Sequence, residues 1–424
     1  MEKKWYRLDN AAKIFPVTKN SMWSNNFRVS ITLNEEIDPD RLQKALEMTL
    51  PRFPNFSLAM KKGLFWYYLE HREGCPQVSE DSANPLRRFR TNKNRFLFRV
   101  RYYERRIAVE MFHVIADGNS SMLFLKTLAA NYLKLGGVEI PNAHGVLDIN
   151  EKPSDDEMED SYQKYASFRV NKPRKERKAY HPKGVELKYN EIKIITGQIN
   201  LRKLSEKTKE YKVTITEFLC ALLIKCFLDR QEREGARKKK PVKICIPVNL
   251  RAFYPSKTFR NFVLYANPGV DPAYGNYTFE EIVTQVHHFM GLNINEKNMN
   301  AMMSTNISSE RNPFLKILPL FIKNFGMLMA YRMYGESLTT CTFSNIGKMN
   351  LPDEMMPYVE RFDFILNRQR NNAHAVSAVG FKDKLNITFT SKLIDSDVER
   401  DFFTSLVKMG IPVKIESNKN YEGE

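Results

Sequence analysis

Apolar and polar positions along this chain repeat in two rhythms, and the switches between them lay out its elements. Ile107, Val109 and Met111 recur with period two and put His113 on their face, which predicts a strand over Ile107–His113 with the histidine pointing inward. Asn119 and Ser120 are candidate caps for the helix that follows. Its body, Met122 to Leu135, is apolar on most sides and is stopped by Gly136 and Gly137. Similar patterns predict strands at Phe27–Leu33, Leu64–Leu69 and Phe96–Tyr103, and a helix over Pro39–Thr49. From Leu187 the alternation restarts, with strands at Ile192–Ile199 and Val242–Val248 and helices at Thr216–Asp229, Phe279–Leu292 and Phe314–Tyr334. Late in the chain Leu385, Ile387 and Phe389 alternate as a strand, and Ser396 with Glu399 predicts a capping box for a helix to Met409.

Strands and helices that alternate in this way predict an α/β layered fold. The pattern weakens between about 151 and 185, where an acidic stretch, Asp155 to Asp160, gives way to a basic one and Pro153, Pro173 and Pro182 interrupt. Three parts follow: an N-terminal subdomain over 1–150, a crossing linker over 151–185 and a C-terminal subdomain over 186–424. The second half ends in strand, loop and helix like the first, but without the histidine.

With 424 residues, 42% apolar and 12% aromatic, the chain can bury large cores, and disorder of the whole is excluded. No uncharged run is long enough to span a bilayer and Met1 to Trp5 does not read as a signal peptide, so the expectation is a soluble cytoplasmic protein. Cys75, Cys220, Cys226, Cys245 and Cys341 form no CxxC pair, which predicts reduced core thiols and no metal site. The adjacent His287 and His288 read as surface residues. A net charge of +17 implies an acidic partner, whether nucleic acid, an anionic membrane surface or a phosphorylated cofactor such as coenzyme A. The densest basic stretches, Lys172–Lys178 and Arg237–Lys240, lack interleaved aromatics or a reading helix, which argues against nucleic acid. Both also read as solvated loops. Arg237, Lys238, Lys239 and Lys240 stand directly before a strand and are the better candidates for the 3′-phosphate of CoA.

His113, Val114, Ile115, Ala116, Asp117 and Gly118 form an HxxxDG element where strand hands over to helix. A neutral imidazole there could take a proton from a hydroxyl, because its ordinary pKa lies close to working pH. Asp117, four residues on, is expected to turn away from the ring and anchor the loop on a buried arginine. Gly118 suits a positive φ or a close backbone approach. On the residues alone, a histidine ending an apolar strand equally fits a satisfied core side chain, and so short a motif recurs by chance.

Several further stretches accompany the motif. Leu8 to Pro16 (LDNAAKIFP), Ile37, Asp38, Leu42, Ala45 and Leu46, then Arg52, Phe53 and Pro54, lie before it. Ile246 to Arg251 (IPVNLR), Arg260 to Phe262 and Ser344 to Gly347 (SNIG) lie after it. Together they resemble the condensation-domain and alcohol acetyltransferase-like branch of the CoA-dependent acyltransferase superfamily. The resemblance implies two chloramphenicol-acetyltransferase-like halves forming a pseudo-dimer with the site in a channel between them. It also implies acyl transfer from CoA to an alcohol, with acyl-CoA as co-substrate, no permanently bound cofactor and a small or lipophilic alcohol as acceptor. By it His113, Asp117 and Gly118 belong to the catalytic site. Ser344 or Asn345 would be the oxyanion donor, and Arg52 would pair with Asp117, with Arg251 as further support. Phe112 departs from the pattern, since condensation domains usually carry a second histidine there, which weakens a peptide-forming reading. A condensation enzyme taking its donor from a phosphopantetheine carrier protein in trans, and a noncatalytic ligand-binding homologue, are the alternatives. Contact with a membrane surface stays open.

Overall fold

The period-two stretches become strands and the apolar faces between them become helices, in a computed structural model that describes residues 5–18, 25–82, 84–90, 95–167, 176–188, 191–235 and 238–418. The first half contributes strands β1 (Trp5–Arg7), β2 (Asn26–Leu33), β3 (Leu58–Lys62), β4 (Tyr67–His71), β5 (Ser79–Glu80), β6 (Phe98–Tyr103) and β7 (Arg106–Phe112). Its helices are α1 (Ile14–Thr18), α2 (Pro39–Thr49) and α3 (Gly118–Leu135). Asp38 caps α2 by accepting from the backbone of Asp40 and Arg41, and Pro39 sits in the first turn, where no N–H is needed. Leu42, Ala45 and Leu46 of α2 and Leu125 and Leu128 of α3 bury against Val29, Ile31 and Val109 of the sheet.

The second half adds α4 (Ser161–Tyr165), β8 (Lys193–Asn200), α5 (Leu201–Glu210), α6 (Ile215–Arg233), β9 (Val242–Asn249), β10 (Val263–Ala266), β11 (Gly269–Val270), α7 (Phe279–Asn293) and α8 (Glu296–Arg311). Then come α9 (Pro313–Ile317), α10 (Leu320–Tyr334), β12 (Cys341–Met349), β13 (Val359–Leu366), β14 (His374–Phe381), β15 (Lys384–Ser391), α11 (Asp397–Lys408) and β16 (Val413–Ser417). One sheet runs β10-β9-β12-β14-β15-β8-β16, with β11 also on β9 and with β12 parallel to both of its neighbours. A three-stranded sheet runs β1-β4-β3. The N-terminal sheet runs β13-β2-β7-β6-β5, so its edge strand comes from residues 359–366. There Phe362 pairs with Ile31 and Phe364 with Val29, after which the chain returns to the C-terminal sheet as β14.

Three local expectations are corrected. The single helix expected over Phe314–Tyr334 is two, α9 and α10, parted at Leu318 and Pro319, because a proline disfavours helical conformation in the residue before it. Ser396 precedes α11 without a side-chain cap. Its hydroxyl instead accepts from the Lys193 ammonium at 2.8 Å, while Glu399 is buried 3.3 Å from Lys193 and 3.6 Å from His374. Residues 151–185 are more than a crossing: Glu157 and Tyr162 are buried, and the Tyr162 hydroxyl donates to the carbonyl of Val263 at 2.6 Å. The five cysteines are free thiols, Cys220, Cys226 and Cys341 being buried. Among the described residues no helix is long and apolar enough to cross a membrane.

The C-terminal core is tight where α11 crosses β8. A methyl group on Gly197 would overlap the ring of Phe403. Gly197→Ala is therefore expected to destabilise the fold by about 1–3 kcal/mol, read as a lower urea midpoint; an unchanged midpoint would show that α11 can give way.

Candidate active site

The β7 ladder ends at Phe112, and the next backbone N–H, that of His113, donates to the carbonyl of Asn25 at 2.8 Å. The imidazole is held between two rings. Phe15 of α1 stacks on it at a centroid distance of 4.7 Å, and Phe27 of β2 meets it edge-on at 4.9 Å. Asn25 fixes α1 in that position, donating its side-chain amide to the Phe15 carbonyl at 3.2 Å and to the Thr18 hydroxyl at 3.0 Å. Part of the histidine stays accessible to solvent.

Asn261 sets the state of the ring. Its amide nitrogen donates to the His113 carbonyl at 2.9 Å and to the Asp9 carboxylate at 3.2 Å, so its oxygen is the atom left facing His113 Nδ1, 2.9 Å away. An amide oxygen only accepts, which requires Nδ1 to carry the proton and leaves Nε2 with the lone pair. Asp9 is fully buried, accepts from the Ala12 backbone at 2.8 Å and lies 3.7 Å from the Arg260 guanidinium. Burial raises its carboxyl above the ordinary range, opposed by Arg260. Burial lowers the His113 imidazole, opposed by Asp117, by its hydrogen bond to Asn261 and by Asp9. Below about pH 6.5, the ordinary imidazole value, the unfolded chain takes up a proton that the folded one refuses until lower pH. Through this residue, acidification in that window costs stability.

Asp117 faces away from the ring. One carboxylate oxygen accepts from the Ser120 backbone at 3.0 Å and caps α3, so the cap is Asp117 and not Asn119 or Ser120. The other accepts from Arg251 Nη1 at 2.6 Å and from the Phe262 backbone at 3.1 Å. Arg251 therefore fills the place expected for Arg52. Arg52 instead makes a bidentate pair with Glu157, both contacts at 2.7 Å, and reaches Glu151 at 3.2 Å. The reason lies in the 151–185 segment, whose acidic stretch folds back and supplies a carboxylate nearer to Arg52. Arg251 Nη2 also donates to the carbonyls of Thr258 and Arg260, each at 2.8 Å, folding the loop before Asn261 around one guanidinium. Gly118 opens α3 with an ordinary negative φ, and a methyl there would meet Ile346 at 3.4 Å and Phe364 at 3.9 Å, both ordinary contact distances, so neither the positive φ nor the close approach expected of this glycine is found.

That contact brings the SNIG stretch to the motif. Between Asn345 and Lys348 the β12–β14 register shifts, with Gly347 at φ +78°, and Ile346 projects toward α3. Asn345 donates to Thr216 at 3.1 Å and accepts from the Gly347 backbone at 2.9 Å, so its amide is engaged inside the C-terminal half. Ser344 lies partly exposed opposite Ser377. The basic segment is not brought to the histidine. Arg237 lies outside the described residues, and Lys238, Lys239 and Lys240 are exposed before the start of β9, with Arg251 beyond its other end. Lys239 lines a surface depression whose cations are matched by Asp229 and Glu232. His287 sits on α7 and meets Glu217 at 3.1 Å.

No family model matches the chain, and no curated protein matches its sequence. Solved structures do share its fold. Polyketide synthase associated protein 5 from Mycobacterium tuberculosis superposes with a TM-score of 0.60 at 12% identity, over 95% of this chain and 97% of that one. A trichothecene 15-O-acetyltransferase from Fusarium sporotrichioides gives 0.61 at 11% identity, over 96% and 95%. A mutant starter condensation domain of rhizomide synthetase, solved in complex with C8-CoA, gives 0.59 at 11% identity, over 92% and 89%. The chain thus has the two-lobed, chloramphenicol-acetyltransferase-like fold of the condensation-domain and acyltransferase branch that its motifs resemble. At these identities the likeness defines the fold.

Removing either arginine leaves a buried carboxylate without its cation, so Arg251→Ala and Arg52→Ala should each cost about 3–5 kcal/mol in unfolding free energy. The two differ at the histidine. Only Arg251→Ala is expected to move the His113 titration followed by NMR; an equal shift in both would remove Arg251 from the positioning of Asn261.

Proposed function

We propose that the protein transfers an acyl group from an acyl-CoA to a hydroxyl acceptor, with His113 as general base. The observation that carries this is the Asp9–Asn261–His113 chain of hydrogen bonds, which leaves Nε2 unprotonated in surroundings that disfavour a charged ring. The acceptor hydroxyl gives its proton to Nε2 as its oxygen attacks the thioester carbonyl. The tetrahedral intermediate then collapses, the C–S bond breaks, and the imidazolium returns the proton to the departing thiolate. Asp117 and Arg251 position the loop, and Ile346 of the SNIG stretch packs beside it at Gly118. Because the Asn345 amide already has partners, Ser344 is the better oxyanion donor. Acyl-CoA as co-substrate is supported by the C8-CoA complex of the rhizomide neighbour, and a hydroxyl acceptor by the trichothecene O-acetyltransferase. Lys238 to Lys240 could bind the CoA 3′-phosphate only if the pantetheine arm bridged the length of β9. The likeness to a condensation domain supports a second reading, a donor carried on a phosphopantetheine arm; comparing acyl-CoA with an acylated carrier protein separates the two.

His113→Ala should lower CoA-thiol release by roughly 10²- to 10⁴-fold in a variant that keeps its folded circular-dichroism spectrum; full turnover in that variant would end the proposal. Since the base must be neutral and its pKa is lowered, the acid limb of kcat/KM should fall below pH 6.5. A limb at or above that value would assign it to another group. Ser344→Ala should cost about 10²-fold in kcat and Asn345→Ala less. If both change the rate by under a few-fold, the donor lies elsewhere.

A further inference from the structure

Among the described residues, exposed large apolar side chains cluster around α9 and α10. Phe314 and Ile317 of α9 are 80% and 69% exposed. On α10, Phe321, Phe325 and Met329 follow at four-residue spacing, a single stripe along one helix face, and the two phenylalanines are 70% and 69% exposed. The tip between β3 and β4 continues the patch with Leu64, 71% exposed. The Leu320 N–H donates to the Leu64 carbonyl at 2.9 Å, and Asn324 donates to the Tyr67 hydroxyl at 3.0 Å. The Lys323 ammonium stands 3.4 Å over the Trp66 ring. Neighbouring large apolar side chains left in water mark a surface that meets something apolar.

The charges favour one occupant. Residues 312–335 hold Lys316, Lys323 and Arg332 and no aspartate or glutamate, and Lys62 stands in the adjoining hairpin. A second copy docked face to face would set these cations against themselves. An anionic lipid surface would take the phenylalanines below its headgroups and the cations among them. At 15 residues α10 is too short to span a bilayer and suits the plane of the interface. It also packs against α1, whose Phe15 covers His113, so the patch is continuous with the wall of the candidate site.

We propose that α9, α10 and the β3–β4 tip form a docking face for an anionic lipid bilayer. The full chain should co-sediment with phosphatidylcholine vesicles containing phosphatidylglycerol, and less with phosphatidylcholine alone or at raised salt. The double variant Phe321→Ser and Phe325→Ser, altered only at water-facing positions, should lose at least about tenfold in vesicle partitioning with an unchanged melting temperature. Lys316→Ala with Arg332→Ala should remove the preference for the anionic lipid. Sedimentation of the phenylalanine variant equal to the unaltered chain would overturn the proposal, as would failure of the unaltered chain to bind. So would a dimer in solution that this variant dissolves while vesicles are ignored, since a second copy would then be the occupant. Binding is read without turnover: His113→Ala should sediment normally, so this result stands or falls apart from acyl transfer.

Discussion

The contact between Asp117 and Arg251 is the one on which the candidate site depends. A single carboxylate caps α3, receives the Phe262 N–H and holds a guanidinium that gathers the carbonyls of Thr258 and Arg260. Loop 251–262, which leaves the C-terminal sheet after β9, is thereby wrapped onto the motif of the N-terminal half. Asn261 rides on that loop, so the proton arrangement of His113 is decided by an ion pair that never touches the ring.

Asn261 also explains how the imidazole stays neutral beside acidic groups. A carboxylate in direct contact with Nδ1 would stabilise the charged ring and raise its pKa. Here the carboxylate of Asp9 stops at the amide nitrogen, and the amide passes on only a hydrogen bond. Burial then outweighs the remaining attractions and the net shift is downward. Phe15 and Phe27 add to this by replacing water on two sides of the ring.

Much of the layered architecture was legible because strand and helix periods are local properties. Pro39–Thr49 came out to the residue, and the strand carrying the histidine to within one at each end. The partners were not legible, because pairing depends on which distant segment folds nearest. Arg52 and Arg251 look alike in the chain, and only the return of Glu157 from the 151–185 segment separates their roles. Asp9 and Asn261 stood inside recognisable stretches, but nothing in their spacing says that one amide joins them to His113. The cap of α3 is not legible in the spacing, because the Asp117 carboxylate that anchors the loop on Arg251 has a second oxygen free to accept from the Ser120 backbone. The Ser396–Glu399 spacing suits a capping box, yet buried Lys193 draws both side chains toward itself.

The path of β13 has a consequence for how the molecule can move. Because residues 359–366 are laddered onto β2 and lead straight into β14, the two large sheets are stitched by one continuous length of backbone. Neither lobe can swing away as a free door without stripping that seam. Admission of a bulky guest would therefore have to come from flexing of thin coverings such as α1, while the frame beneath keeps its span. A polypeptide cut before the seam would also leave β2 as a raw, sticky margin inviting other strands.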